Sequence, residues 1–133
     1  MTSRRHFEFA VGTATVAVML ALASWISDAR AQEAVSFKED VYPIIELRCL
    51  ECHEPGGSGY ETSGLDLRSY EGLMKGTKHG SIVVPNSAME SSLIAVIDGR
   101  TDPAIQMPHN RKRMSKCERF LFRFWVNQGA RDN

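Results

Sequence analysis

The chain has 133 residues, 43% of them hydrophobic and 24% charged. This is an ordinary globular profile with length for one domain, which excludes a disordered, collagen-like or repeat-built chain. Sixteen Lys plus Arg balance sixteen Asp plus Glu, so no strong overall field draws it to nucleic acid or to a membrane surface.

The first segment stands apart. Arg4 and Arg5 open it, Ala10 to Ile26 run seventeen residues without a charge, and Ala29-Arg30-Ala31 sets small residues on either side of a middle position. That order reads as a signal peptide over residues 1–31, cleaved after Ala31, with residues 32–133 as the mature domain. Gly12, Thr13, Thr15 and Ser24 dilute a stretch already at the lower edge of a bilayer span, so a retained membrane anchor is the alternative. Ser3 to Phe9 also resembles a twin-arginine signal, although Glu8 and Phe9 depart from it and an ordinary charged start is the simpler reading. Export predicts a periplasmic location. The mature domain keeps thirteen basic and fourteen acidic residues, and its modest core would gain from a cofactor or crosslink.

The mature chain reads as helices separated by glycine-bearing loops. Ser36-Phe37-Lys38-Glu39 is a capping-box pattern that starts a helix near Phe37, with Phe37, Val41 and Ile44 or Ile45 on a buried stripe and Pro43 kinking or restarting it. Ser69 to Gly76 predicts a short helix, whereas GLDL and SIVVP are at most short extended pieces. A second box, Ser87 to Glu90, precedes a helix with Leu93, Ile94 and Ile97 on one face and Gly99 as its stop. A third, Ser115 to Glu118, opens a helix whose apolar face is Phe120, Leu121, Phe124 and Trp125, ending at Gly129. The fold class is all-α.

Chemistry concentrates in LRCLECHEPGG, residues 47–57, where Cys49 and Cys52 are followed at once by His53. Structural zinc needs four protein ligands, and these three are followed by no second CxxC. A thioredoxin-like disulfide wants an α/β setting that this chain lacks. Haem attachment fits each residue: two thiols three positions apart on a helical turn reach both vinyl groups of one porphyrin, and the next residue is held under the iron as proximal ligand. His53 should then donate its other ring N–H to a backbone carbonyl, and Pro55 to Gly57 should turn the chain away beneath the haem.

A sixth ligand would come from Met74, His79, Met89, Met107, His109 or Met114. Met89 falls in a predicted helix and Met74 in an apolar pair with Leu73, where methionine is ordinary core. Met107 sits in an irregular stretch bracketed by Pro103 and Pro108, suited to holding a loop against the haem face. His109 and His79 come next.

FKEDVYPIIELRCLECH, GLDLRSYEGLMKG, SIVVPNSAMESSLIAVI, QMP and FWVNQGA resemble, in order, the blocks of small class I c-type cytochrome domains, most nearly the planctomycete-type cytochrome c family. The resemblance spans residues 37–130. It implies a small helical domain around one covalently attached haem c, with Cys49 and Cys52 as thioether positions and His53 and Met107 as axial ligands to iron. It also implies an electron-transfer role, an N-terminal helix crossing a C-terminal one, and Trp125 as the packing tryptophan of the last helix. VPNSA stands where the family has a Pro-Gly turn, a place Asn86 can fill.

Cys117 is left without an intramolecular partner, and its helical spacing to Leu121 and Phe124 reads as a small buried hydrophobe, with a redox sensor or intermolecular disulfide as the alternative. Arg111, Lys112, Arg113 and Lys116 form a basic patch after Met107 that would steer an acidic redox partner, or else be a solvated helix start. The leading function is a one-haem electron carrier, free or as a subunit of a larger oxidoreductase, rather than an enzyme. A haem module that binds gas and a zinc-binding interaction module are the alternatives. No catalytic residues are proposed.

Overall fold

A computed structural model describes residues 34–133, which form one unit. The leader, its cleavage after Ala31 and the anchor alternative lie outside the described residues. Among the described residues there is no strand, only an isolated bridge between Thr77 and Gly80. The all-α expectation therefore holds for this unit. No helix among them is long and apolar enough to cross a membrane.

The fold begins with a π-helical turn, Phe37–Val41, that passes directly into α1, Tyr42–Arg48. Ser36 accepts from Glu39 N at 3.1 Å as predicted, but the returning bond comes from Asp40, whose Oδ2 accepts from Ser36 N at 2.8 Å. Pro43 lies in the first turn of α1, where its missing N–H leaves nothing unpaired, so the chain restarts there. Ile45 takes the buried place beside Phe37 and Val41, and Ile44 packs at the edge of the core.

Helix α2, Ser58–Ser63, has no apolar stripe and no side-chain cap, which is why no sequence signal announced it. It ends at Gly64, with φ 73°. Helix α3, Tyr70–Lys75, is the predicted short helix, its first turn capped by Ser69 accepting from Gly72 N at 3.1 Å. Helix α4, Ser92–Asp98, starts later than its capping pattern implied. Ser87 caps only a single turn, and the helix begins after Ser91. The Ser91 hydroxyl is buried, donating to Ser87 O at 2.8 Å and accepting from Val84 N at 2.9 Å, so it ties the preceding loop together instead. Asn86 takes φ 67° there, the left-handed turn expected of it. Met89 is consequently outside the helix and 77% exposed, not core.

Helix α5, Lys116–Asn127, has both halves of its capping box. Its buried stripe is Phe122, Trp125 and Val126, one narrow i, i+3, i+4 face. The broader predicted face is thus split: Phe120 points outward, 51% exposed, and stacks on Phe124 at 4.1 Å. Cys117 lies on that outer side and is exposed, which corrects its reading as a buried hydrophobe.

The core is built around Trp125. Phe37 packs 5.4 Å from it and Tyr70 6.5 Å from it edge-on, while Phe37 and Tyr70 meet at 5.3 Å. Trp125 Nε1 donates to Arg131 O at 2.9 Å, and the Tyr70 hydroxyl donates to Ala130 O at 2.8 Å. Asn133 accepts from Lys38 N at 3.1 Å and from Phe37 N at 2.9 Å, so the two ends of the unit are knit together. On the opposite flank Asp98, only 5% exposed, meets Arg123 at 2.6 Å and Arg119 at 3.6 Å, fastening the end of α4 to α5.

Candidate functional site

Helix α1 delivers the cysteines. Cys49 N still donates to Ile45 O at 2.9 Å, and the winding continues as turns, with Cys52 N and His53 N both bonding to Cys49 O at 3.1 Å. Both thiols and the imidazole therefore leave one compact turn of backbone. The segment after it folds back beneath: Tyr60 N donates to Cys52 O and Leu67 N to His53 O, each at 2.8 Å. The predicted turn over residues 55–57 is part of this return. At Gly57 a side chain would fall 2.6 Å from Cys52 O, so close backbone approach calls for glycine.

His53 is 8% exposed, and burial lowers its pKa below the usual 6.5, the Leu65 backbone opposing part of that shift. The ring is held neutral, the form with a free lone pair that ligation requires. Nδ1 is buried with no hydrogen-bond partner. The predicted donation to a carbonyl is not made; the Leu65 backbone approaches without reaching hydrogen-bonding geometry.

Burial pushes the Cys49 thiol up to about 11, with Arg48 pulling it down and Cys52 and Glu118 adding to the rise. Against the usual 9.0, its thiolate population falls about 100-fold at a given pH below both values. In the haem-free chain at pH 8, iodoacetamide should label exposed Cys117 first and Cys49 last, read by peptide mass spectrometry. Labelling of Cys49 as fast as Cys117 would contradict this burial.

Cys49 and Cys52 are not bonded to each other. No group of three or more His, Cys, Asp or Glu among the described residues is arranged to hold a metal ion, so nothing here completes a four-ligand zinc site.

Met107 follows a 3₁₀ turn, Pro103–Ile105, capped by Asp102. Met107 N donates to Val96 O at 3.1 Å, which pins the loop to α4. The residue is half-buried and packs against the same hydrophobic cluster as Cys49 and Leu50. Of the other candidates, Met114 is enclosed in the core, Met74 packs at its edge, and Met89, His79 and His109 are exposed.

The loop after Met107 lies directly against the cysteine turn. Arg48 Nη2 donates to Lys112 O at 2.7 Å, and Arg111 pairs with Glu51 at 2.8 Å. Leu47, Arg48, Pro108, Arg111 and Lys112 line one shallow groove between them. Glu51 is 75% exposed, so that ion pair is worth about 0–1 kcal/mol and its value is in register. Sequence reasoning assigned nothing to Arg48 and Glu51. The available signal was one acid inside the CxxCH motif and a basic run just past Met107.

The basic run itself is partly committed to the fold. Arg113 donates to Asp98 O at 2.5 Å and Arg111 is paired with Glu51. Lys112 and Lys116 are exposed and form no ion pair among the described residues.

Residues 49–110 match the family model described as planctomycete cytochrome C. This stretch, just under half of the chain, is similar to that family. The matched segment starts at the first cysteine and contains His53 and the loop of Met107. No curated protein and no solved structure matches the chain. The match points to a haem c domain of the electron-transfer kind, a carrier rather than an enzyme. The donor set fits that group: a buried neutral imidazole beside two thiols on one turn, in an apolar setting.

Proposed function

We propose that the protein is an exported, one-haem c-type cytochrome that passes single electrons between redox partners, free or as a subunit of a larger oxidoreductase. The observation that carries this reading is the adjacency of the cysteine turn and the Met107 loop, bridged by Arg48 to Lys112 O at 2.7 Å and by Glu51 to Arg111 at 2.8 Å. Were haem c bound here, His53 and Met107, carried by these two segments, would be the residues to ligate its iron.

When bound, haem c supplies a one-electron iron couple. The chain's own contributions are distinct from it. Cys49 and Cys52 would hold the group through thioethers, and burial disfavours the Cys49 thiolate before attachment. His53, neutral and buried, presents a fixed imidazole. Met107, on a loop pinned to Val96, offers a neutral thioether, which favours ferrous iron over a second histidine.

The test uses the whole gene product expressed with haem-maturation machinery. A periplasmic protein starting at Gln32, one haem per chain by mass, and colour that survives acid acetone are expected. Haem that extracts into acid acetone would sink the thioether assignment.

Docking at Arg111, Lys112, Arg113 and Lys116 is the accompanying reading, supported by Lys112, which lines the groove, and by Lys116, both exposed and without an internal ion pair among the described residues. Electron-transfer rates with an acidic partner should fall as salt rises. Rates independent of ionic strength would remove the patch from partner recognition.

A further inference from the structure

We propose that Gly59 is a positioning residue for His53: the absence of a side chain at 59 sets how deep the imidazole sits and the plane in which it meets a bound haem. This rests on the reading of His53 as the proximal ligand.

Two of the glycines in this loop do different work. Gly56 has φ +91° and open space where a side chain would project, so backbone conformation calls for it. Gly59 is the second residue of α2, Ser58–Ser63, and has no left-handed backbone. A helix by itself would prefer alanine there. The reason for glycine is contact: a Cβ at 59 would stand 2.8 Å from Cε1 and 3.0 Å from Nδ1 of His53, and 2.9 Å from Cys52 O. Real Cβ atoms do not approach that closely, so either the ring or the helix would have to move. The helix is not free to move, because Tyr60 N is bonded to Cys52 O at 2.8 Å. The ring is the softer element.

A ligating histidine is ordinarily oriented by a hydrogen bond from its second nitrogen. Here Nδ1 is buried, and the Leu65 backbone beside the ring falls short of full hydrogen-bonding geometry. Residue 59 faces the Cε1–Nδ1 edge of the ring and leaves no room there for a Cβ. Ring orientation is one of the protein's levers on haem electronics, so the size of residue 59 should be read out at the iron.

The test is NMR and potentiometry on the full chain carrying haem. In the reduced wild type, a strong nuclear Overhauser effect between Gly59 Hα and His53 Hε1 is expected. In Gly59→Ala, the order of the ferric haem-methyl resonances and the midpoint potential should both change. Gly56→Ala strains the backbone without touching the ring and should leave both at wild-type values, although it also loses stability. An absent Overhauser effect in the wild type, or Gly59→Ala indistinguishable from wild type, overturns the proposal. If Gly59→Ala yields no folded protein, the wild-type measurement decides alone. Should the wild type carry no haem, the reading of His53 falls, and the same proton pair in the haem-free chain decides whether Gly59 positions the ring.

Discussion

Trp125→Ala removes about 3–5 kcal/mol of stability, the range for deleting a large buried aromatic. A unit of this size has about 5–15 kcal/mol in all, so the variant is left near the edge of folding. The loss has three sources. Trp125 is 1% exposed at the centre of the core, so truncation opens a cavity that Phe37 and Tyr70, 5.4 and 6.5 Å away, cannot both fill. The edge-on packing with Tyr70 is lost as well. So is the bond from Nε1 to Arg131 O, which ties the helix to the segment that reaches back to residues 35–38. Urea unfolding followed by far-ultraviolet circular dichroism measures it. A loss below about 1 kcal/mol would mean that the aromatic cluster is not the centre of the fold. Trp125→Phe, which keeps most of the volume, should lose less than the alanine variant.

Met107→Ala should lower the midpoint potential by on the order of tenths of a volt, since axial ligation spans about 0.8 V across haem proteins. The methionine-to-iron charge-transfer band should disappear and carbon monoxide should bind readily to the ferrous form. Fold stability should fall much less than in Trp125→Ala, because Met107 is only half-buried and its loop stays pinned through the backbone bond to Val96 O. The control is the wild type. If the wild type already binds carbon monoxide without delay in its ferrous form and shows no charge-transfer band in its ferric form, Met107 is not a ligand and the gas-binding alternative takes over.

Much of the helical plan was legible because helix ends carry local chemistry. The boxes at Ser36 and Ser115 and the stop at Gly99 depend on residues three or four apart and act before any tertiary contact forms. Where local chemistry had a competitor, it misled. Ser87 and Glu90 match a box as well as Ser115 and Glu118 do, yet α4 starts at Ser92 because the Ser91 hydroxyl bonds across the loop to Val84 and Ser87. Periodicity found the apolar residues of α5 but could not say which of two adjacent stripes faces inward. Phe122 completed the buried one, and Phe120 and Cys117 were left outside.

The candidate donor residues were legible for a related reason. Cys49, Cys52 and His53 sit within five consecutive positions, and attachment to one porphyrin demands that spacing. The sequence by itself therefore determined the class of helix, the cysteine turn and a short list of second ligands. Only the tertiary structure decided that the Met107 loop runs beside that turn, that Arg48 and Glu51 hold it there, and that Gly59 backs the imidazole. Those relations join residues far apart along the chain through packing and reach, and no local pattern in the intervening residues encodes which distant surfaces will meet.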